Sequence, residues 1–340
     1  VSKTFIRNLI SQVVSRHLGV NRDEYVRSRW GTVPLLKAAV PAGNLVGNSI
    51  GSDPGTTEFF GEVIEASIIG RVRPRAVPAN AKVLLPDSSA AAYWTGQNQP
   101  VPLSYRSVTG SVLERRKVAA MVAASAEVFD AQSARAEAAL EADLRRALVA
   151  TLDAAFIDAA NAGVADEMPA SITNGVTPIA STGDPTQDLR ALLAGFAGDL
   201  TVASFVTDPV TAGSISLWQD DKGALCFPDC GPAGGSLLGL PVVTSRAVPR
   251  DASPASGMIA LVDGSGIAVS LEGMDVALSK ASTLEMTDVP AGEADGPTPV
   301  SATTVSLFQA DIVALAMTMF ANWSVVRPGS VAVVTDVNYG

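Results

Sequence analysis

The sequence has 340 residues, room for two domains or one large domain with extensions, and 47% of them are apolar, so a sizeable core can be buried. The net charge is −10 at pH 7, which argues against a dedicated nucleic-acid binder with its strong basic stripe. No run reaches the roughly 18 unbroken apolar residues of a membrane helix, no signal-peptide pattern opens the chain, and two cysteines make no disulfide framework. Only 17% of residues are charged. That fits either a surface largely covered by other protein or an Ala- and Gly-rich composition of a GC-rich genome.

Charge is unevenly placed. Residues 1–30 carry Lys3, Arg7, Arg16, Arg22, Arg27 and Arg29 against Asp23 and Glu24, a net of +4. Within them Phe5, Leu9, Ile10, Val13, Val14 and Leu18 recur at steps of three and four, predicting an amphipathic helix over 3–18. So short a helix gains stability mainly by docking, here on acidic protein or nucleic acid; a solvated helix is the plainer alternative. Residues 40–56 (VPAGNLVGNSIGSDPGT) read as a linker or extended arm, and 58–69 as a short helix with Phe59, Phe60, Val63 and Ile64 as its apolar side.

Residues 71–117 have many prolines, turn residues and short strand-like runs without helical period. They predict a long β-hairpin with its tip near 96–102, which has little core of its own and needs a partner surface. The apolar run 118–125 leads into the clearest helix, 126–160, which lacks Gly and Pro and steps Leu140, Leu144, Leu148, Leu152 and Phe156 along one face. At 1.5 Å per residue it spans about 50 Å, enough for a domain's spine.

Beyond it, a helix is expected near 188–196, a strand at TVASFVTD, a helix at PVTAGSISLWQD and a mobile Gly-rich loop over 231–239. Short strands MIALVDG, GIAVSLEG and MDVALSK follow. In 312–320 large Val313, Leu315, Met317 and Met319 alternate with small Ala314, Ala316 and Thr318, a strand's period of two, although Val313, Met317 and Phe320 also suit a helix. VRPGSVAVV closes with a turn and a strand, and no 20–50-residue repeat is present.

Catalytic chemistry finds little purchase. His17, the only histidine, sits on the basic helix beside Arg16. Gly47-Asn-Ser49-Ile-Gly51 spells G-x-S-x-G, but inside a linker and not between a strand and a helix, as a nucleophile elbow requires. Asp220 and Asp221 read as a solvated turn, and Cys226 and Cys230 as structural thiols, since one histidine and two cysteines cannot complete a zinc site. No P-loop or G-x-G-x-x-G occurs, the Asn322-Trp323-Ser324 sequon has no secretory context, and no cofactor, metal or catalytic residue is expected.

Several phrases, in order, resemble one family. AAAYWTGQNQPVP (90–102) is similar to a hairpin tip, and VLERRKVAAMVAASAEVFD (112–130) to its return into a spine helix. SLWQDDKGALCF, then SLLGLPVVTS, and finally VVRPGSVAVV complete the series. Together, over about 58–334, they resemble the major capsid protein of tailed bacteriophages, the Hong Kong 97 fold family. The resemblance implies an α+β fold with an N-terminal arm and linking helix (1–70) and an extended β-hairpin loop (71–117). It also implies a peripheral domain with the spine helix (118–169 and 271–323) and an axial domain (170–270 and 324–340). The function implied is that of a structural subunit, not an enzyme, assembling as pentamers and hexamers of an icosahedral shell around double-stranded DNA.

The implied partners are further copies of the chain, a portal, a scaffold or maturation protease, a decoration protein and packaged DNA held non-specifically. The implied location is the virion, after assembly in the host cytoplasm and away from membranes. Candidate intersubunit contacts are Arg7, Arg16, Tyr93, Trp94, Tyr105 and Arg106, and the chain's start at Val1 fits N-terminal processing. An encapsulin-like nanocompartment shell shares the fold, and a soluble enzyme with an unrecognised site is the alternative of another class. Some relatives weld subunits by an isopeptide bond from a tip lysine, with a glutamate as proton acceptor. Here residues 97–104 hold no Lys and 312–320 no Glu, so no such cross-link is expected.

Overall fold

The computed structural model describes residues 21–30, 54–86, 108–125, 134–220, 222–252, 255–279, 283–285 and 304–339, with 7, 10, 11, 15, 93–95 and 97 in addition. In chain order the elements are α1 (Arg22–Trp30), α2 (Pro54–Ala66), α3 (Ile68–Val72), β1 (Arg75–Ala76), β2 (Lys82–Pro86), β3 (Val108–Val112), β4 (Lys117–Ser125) and α4 (Ala134–Ile157). Then come β5 (Ile179–Ala180), α5 (Pro185–Gly195), β6 (Ala203–Thr207), α6 (Pro209–Ser216), β7 (Cys230–Gly231), β8 (Gly234–Leu237), β9 (Leu240–Thr244) and β10 (Asp251–Ala252). The last are β11 (Ala255–Asp263), β12 (Ile267–Ser279), β13 (Thr283–Glu285), β14 (Thr304–Ser306), β15 (Ile312–Val325) and β16 (Val331–Val337).

The chain forms two compact units. One comprises Val1–Glu62, Ala119–Ala147 and Gly273–Met319; the other Val63–Val118, Leu148–Glu272 and Phe320–Gly340. In the first, Arg145 on α4 pairs with Glu62 on α2 at 3.1 Å, and β13 and β14 pair antiparallel. Tyr25 and Trp30 of α1 meet edge to face at 5.7 Å.

The second unit is built on a mixed sheet ordered β5-β16-β11-β6-β9-β8-β7. Antiparallel β11 is flanked by β6 and β16, while β6 and β9 run parallel, joined through α6 as a crossover needs. The core lies between this sheet and its helices. Leu189 and Leu192 of α5 and Ala212 and Ile215 of α6 pack with Phe205, Ile259, Leu261 and Val334 of the strands. Both helices open on Asp-Pro: Asp184 caps Thr186 N–H, Asp208 caps Val210 and Thr211 N–H, and Pro fills the first helical position.

Most elements fall where expected, and the exceptions have local causes. The helix expected over 58–69 is two helices, because Ser67 is extended and its hydroxyl caps Gly70 N–H, starting α3 anew. The hairpin expected over 71–117 starts later: 71–72 finish α3, β1 pairs parallel with β12, and among the described residues the antiparallel pair runs from Lys82↔Val112 to Pro86↔Val108, with the expected tip near 96–102 almost wholly outside them. The apolar run 118–125 is itself a strand, β4. The stretch 231–239 is no mobile loop but a hairpin, with Leu237↔Leu240 closing around Leu238 and Gly239, both at positive φ as a two-residue hairpin turn demands. GIAVSLEG and MDVALSK are one strand, β12. In β15 the alternation prevails over the helical spacing, and Val313, Leu315, Met317 and Met319 are all buried. On α4, Leu144, Leu148, Leu152 and Phe156 are buried as their four-residue step predicts.

Candidate assembly surfaces

The second unit is a rigid platform because four buried aspartates tie its loops together. Asp153 of α4 accepts from Ile68 N–H at 2.7 Å and from the Ser245 hydroxyl at 2.7 Å, joining α4 to the start of α3 and the end of β9. Burial pushes its carboxyl up to about 6, although those two hydrogen bonds and the charge of Arg71 pull the other way. Asp188 also feels burial, but hydrogen bonds from Ser181, Thr182 and the Tyr339 hydroxyl (2.9 Å) outweigh it and hold the carboxyl below its ordinary value. The same contact, after burial, pushes the Tyr339 hydroxyl far up. Asp208 adds Arg250 at 3.2 Å to its helix cap, and Asp263 binds Arg327 at 3.0 Å, Asp199 N–H at 3.0 Å and Ser265 N–H at 2.9 Å.

From this platform the root of the hairpin is held by several ties. The Asn322 side chain on β15 donates to Glu114 C=O at 2.5 Å, and Arg116 C=O accepts from Ala321 N–H at 3.0 Å. Arg115 pairs with Glu272 and lies 5.3 Å over the Phe320 ring; Arg116 reaches Glu114 and Asp166. At the root, among the described residues, a small cluster of Val83, Leu113 and Ala268, with Val77 and Val326 against it, is apolar and covered. Tyr93 and Trp94 are exposed, Trp94 completely. An aromatic pair left in water has the chemistry of a contact surface.

The residues singled out in the sequence do not converge on one place. Arg7 lies 5.6 Å over the Trp30 ring, with Arg29 on the same ring at 5.3 Å, so it belongs to the packing of α1. Tyr93 and Trp94 are exposed as described, while Arg16, Tyr105 and Arg106 lie outside the described residues, as do His17, Ser49 and Asp221. Asp220 accepts from Lys222 and Ala224 N–H in a turn. Cys226 is exposed and Cys230 buried, both as free thiols, and burial raises the Cys230 thiol. Among the described residues no three His, Cys, Asp or Glu side chains gather as metal ligands, and no helix is long and apolar enough to cross a membrane. Sequence reasoning missed the four anchoring aspartates. A signal existed for Asp208, where Asp-Pro marks a helix start; for Asp153 and Asp263 the distant partners lie 64 to 92 residues away, and for Asp188 the Tyr339 hydroxyl lies 151 away.

A model of the phage capsid family matches residues 55–336. The capsid polyprotein of Pseudomonas phage PAJU2 is 33% identical over 317 residues, covering 88% of this chain and 46% of the relative, so the chain spans less than half the length of that curated relative. Among solved structures, one from Mycobacterium phage Ogopogo superposes with a TM-score of 0.55 at 18% identity, covering 80% of this chain and 92% of that one. The capsid of a native GTA particle computed with C5 symmetry gives 0.54 at 16% identity, covering 92% and 99%. These two likenesses concern the fold.

Proposed function

Because the chain belongs to the phage capsid family, we propose that its copies close into an icosahedral shell of pentamers and hexamers around double-stranded DNA, assembled in the cytoplasm of a host bacterium. The chain is a structural capsid subunit of a tailed phage. The observation that carries the reading is the breadth of the match, which runs unbroken from α2 into β16. Flat contacts repeated over many copies fit the molecule: each is weak, and their number makes the assembly strong.

The element order supports a finer assignment. Residues 1–70 are the N-terminal arm and linking helix, and 71–117 the extended hairpin loop, with β2 and β3 as its legs. Residues 118–169 and 271–323 form the peripheral domain with α4 as spine, and 170–270 with 324–340 the axial domain. This follows the order of elements rather than the two compact units, whose boundary cuts α4 between Ala147 and Leu148. Arg7, Arg16, Tyr93, Trp94, Tyr105 and Arg106 are the proposed intersubunit contacts. Further copies, a portal, a scaffold or maturation protease, a decoration protein and packaged DNA are the proposed partners.

Sedimentation and negative-stain imaging of the expressed chain test this directly. Closed particles of megadalton mass are expected; protein that stays monomeric or dimeric under all assembly conditions overturns the reading.

A further inference from the structure

Arg71, Arg73 and Arg75 fall within five residues at the end of α3 and the start of β1. They line a groove of about 750 Å³ whose other polar walls are the hydroxyl residues Thr201, Ser204 and Ser265; among the described residues no carboxylate lines it. Arg71 is committed, donating to Thr244 C=O at 3.0 Å. Arg73 and Arg75 are exposed, and among the described residues neither has an ion pair.

The groove is built, not incidental. Gly264 lets the turn at Gly264–Gly266 lie against the end of α3: a Cβ there would sit 2.3 Å from Val72 O and 2.9 Å from Arg73 O. Asp263, the acid beside that turn, is already taken by Arg327, Asp199 N–H and Ser265. Arg73 caps α3 with φ 55 and ψ 58, a left-handed conformation that Gly or Asn adopts at less cost. A strained backbone under an exposed, unpaired guanidinium points to a use for that side chain.

We propose that this groove receives carboxylate side chains of a second copy of the chain and forms a charged contact of the shell. The proposal rests on the reading of the chain as a shell subunit. It is favoured by charge: 34 acidic against 24 basic residues mean that any neighbouring copy presents carboxylates in excess. Guanidinium groups suit the task, because their planar fork pairs with a carboxylate through two parallel hydrogen bonds, and the flanking hydroxyls can donate to the same oxygens. Such pairs set register and discriminate against wrong neighbours, which a surface used many times over requires.

The test compares the whole chain with Arg73→Glu/Arg75→Glu and Arg73→Lys/Arg75→Lys, expressed side by side and separated on gradients into particles and free subunits. The Glu variant is expected to keep the wild-type circular dichroism and melting of free subunits while its particle yield falls about tenfold or more. The Lys variant should retain most of the yield, and wild-type yield should fall as salt is raised through the Debye regime, at about 0.5 M against 0.1 M, more steeply than that of the Glu variant. If the double Glu variant does not fold, Arg75→Glu alone gives the same reading. Wild-type yield from a folded Glu variant overturns the proposal. So do full-yield particles that hold less DNA, which assign the groove to nucleic-acid phosphate. Equal assembly of wild type and variant sinks the groove alone, whereas a wild type that forms no particles removes the shell reading and this contact with it.

Discussion

The mixed-sheet body and the hairpin differ in what their side chains are for. The body buries Phe205, Leu192, Ile215 and Leu261 in one core and fixes its loops with Asp153, Asp188, Asp208 and Asp263. The hairpin pairs Lys82–Pro86 with Val108–Val112, covers, among the described residues, a few small apolar groups at its root, and leaves Trp94 wholly in water. A body that satisfies its own polar groups holds its shape alone. A two-stranded hairpin is marginal in water by itself, so an exposed tryptophan on it is where an outside surface would add most. Substitutions should therefore divide cleanly: those in the body change the melting of the free subunit, and those in the hairpin change assembly.

The largest effect is expected at Phe156, fully buried on α4 with its ring 5.3 Å from Trp323, edge to face. Phe156→Ala should cost about 3–5 kcal/mol and lower the melting temperature on the order of 10 °C. Trp94→Ala sharpens the contrast, since it should leave subunit stability within about 0.5 kcal/mol of wild type while reducing particle yield. Equal melting losses at the two positions would erase the distinction between body and hairpin.

Next comes Asp153, whose carboxyl is raised to about 6 in the folded chain against 3.8 when free. The folded state then binds the proton more tightly than the unfolded one. Its stabilising contribution is full below about pH 4 and is lost as pH rises through about 6, about 3 kcal/mol in all. Asp153→Asn can keep both hydrogen bonds, its Oδ1 accepting from Ile68 N–H and its amide donating to Ser245. Urea melts of both proteins from pH 4 to pH 7.5 should show the variant gaining on wild type across that window; parallel curves would count against the buried ionisation. A smaller loss, about 1–2 kcal/mol, should follow Tyr339→Phe, which removes the hydroxyl donated to Asp188.

What was legible in the sequence follows from how local each signal is. The period of four on α4 and of two on β15 report neighbours on the same element, and both hold in the structure. A hairpin within 71–117 is legible from its turn-rich composition, but the start of its pairing at Lys82 is not, because β1 pairs with β12 almost two hundred residues on, at Arg75↔Ala268. Ser67 ended one helix and began another through a single side-chain cap, which apolar spacing does not register. The candidate contacts rest on residue type, aromatic or basic, which says nothing of exposure. Trp94 is exposed and Arg7 lies over the Trp30 ring, while nothing local in the sequence sets Arg73 and Arg75 apart, because the groove they line is closed by residues more than a hundred positions away.

The smallest expected effect is none at all, and it concerns covalent linkage of the hairpin to its surroundings. A lysine amine attacking an amide needs a lysine at the hairpin tip and a carboxylate in an apolar setting to take its proton. Between 97 and 104 there is no lysine. Lys82 opens the hairpin, paired with Val112 at its root, and Lys117 is the first residue of β4, so neither amine sits at the tip. On β15 the stretch Ile312–Phe320 carries no glutamate, and Met319, where a proton acceptor would be sought, is a fully buried thioether. With both nucleophile and base missing, any contact of the hairpin with a neighbouring copy is expected to rest on buried apolar surface, at about 25 cal/mol per Å², and on paired charge. Boiled particles on a denaturing gel should run as one band near 34.8 kDa. A ladder of multiples would mean that an amine elsewhere in the chain reaches a partner, and that the hairpin is fastened rather than merely laid down.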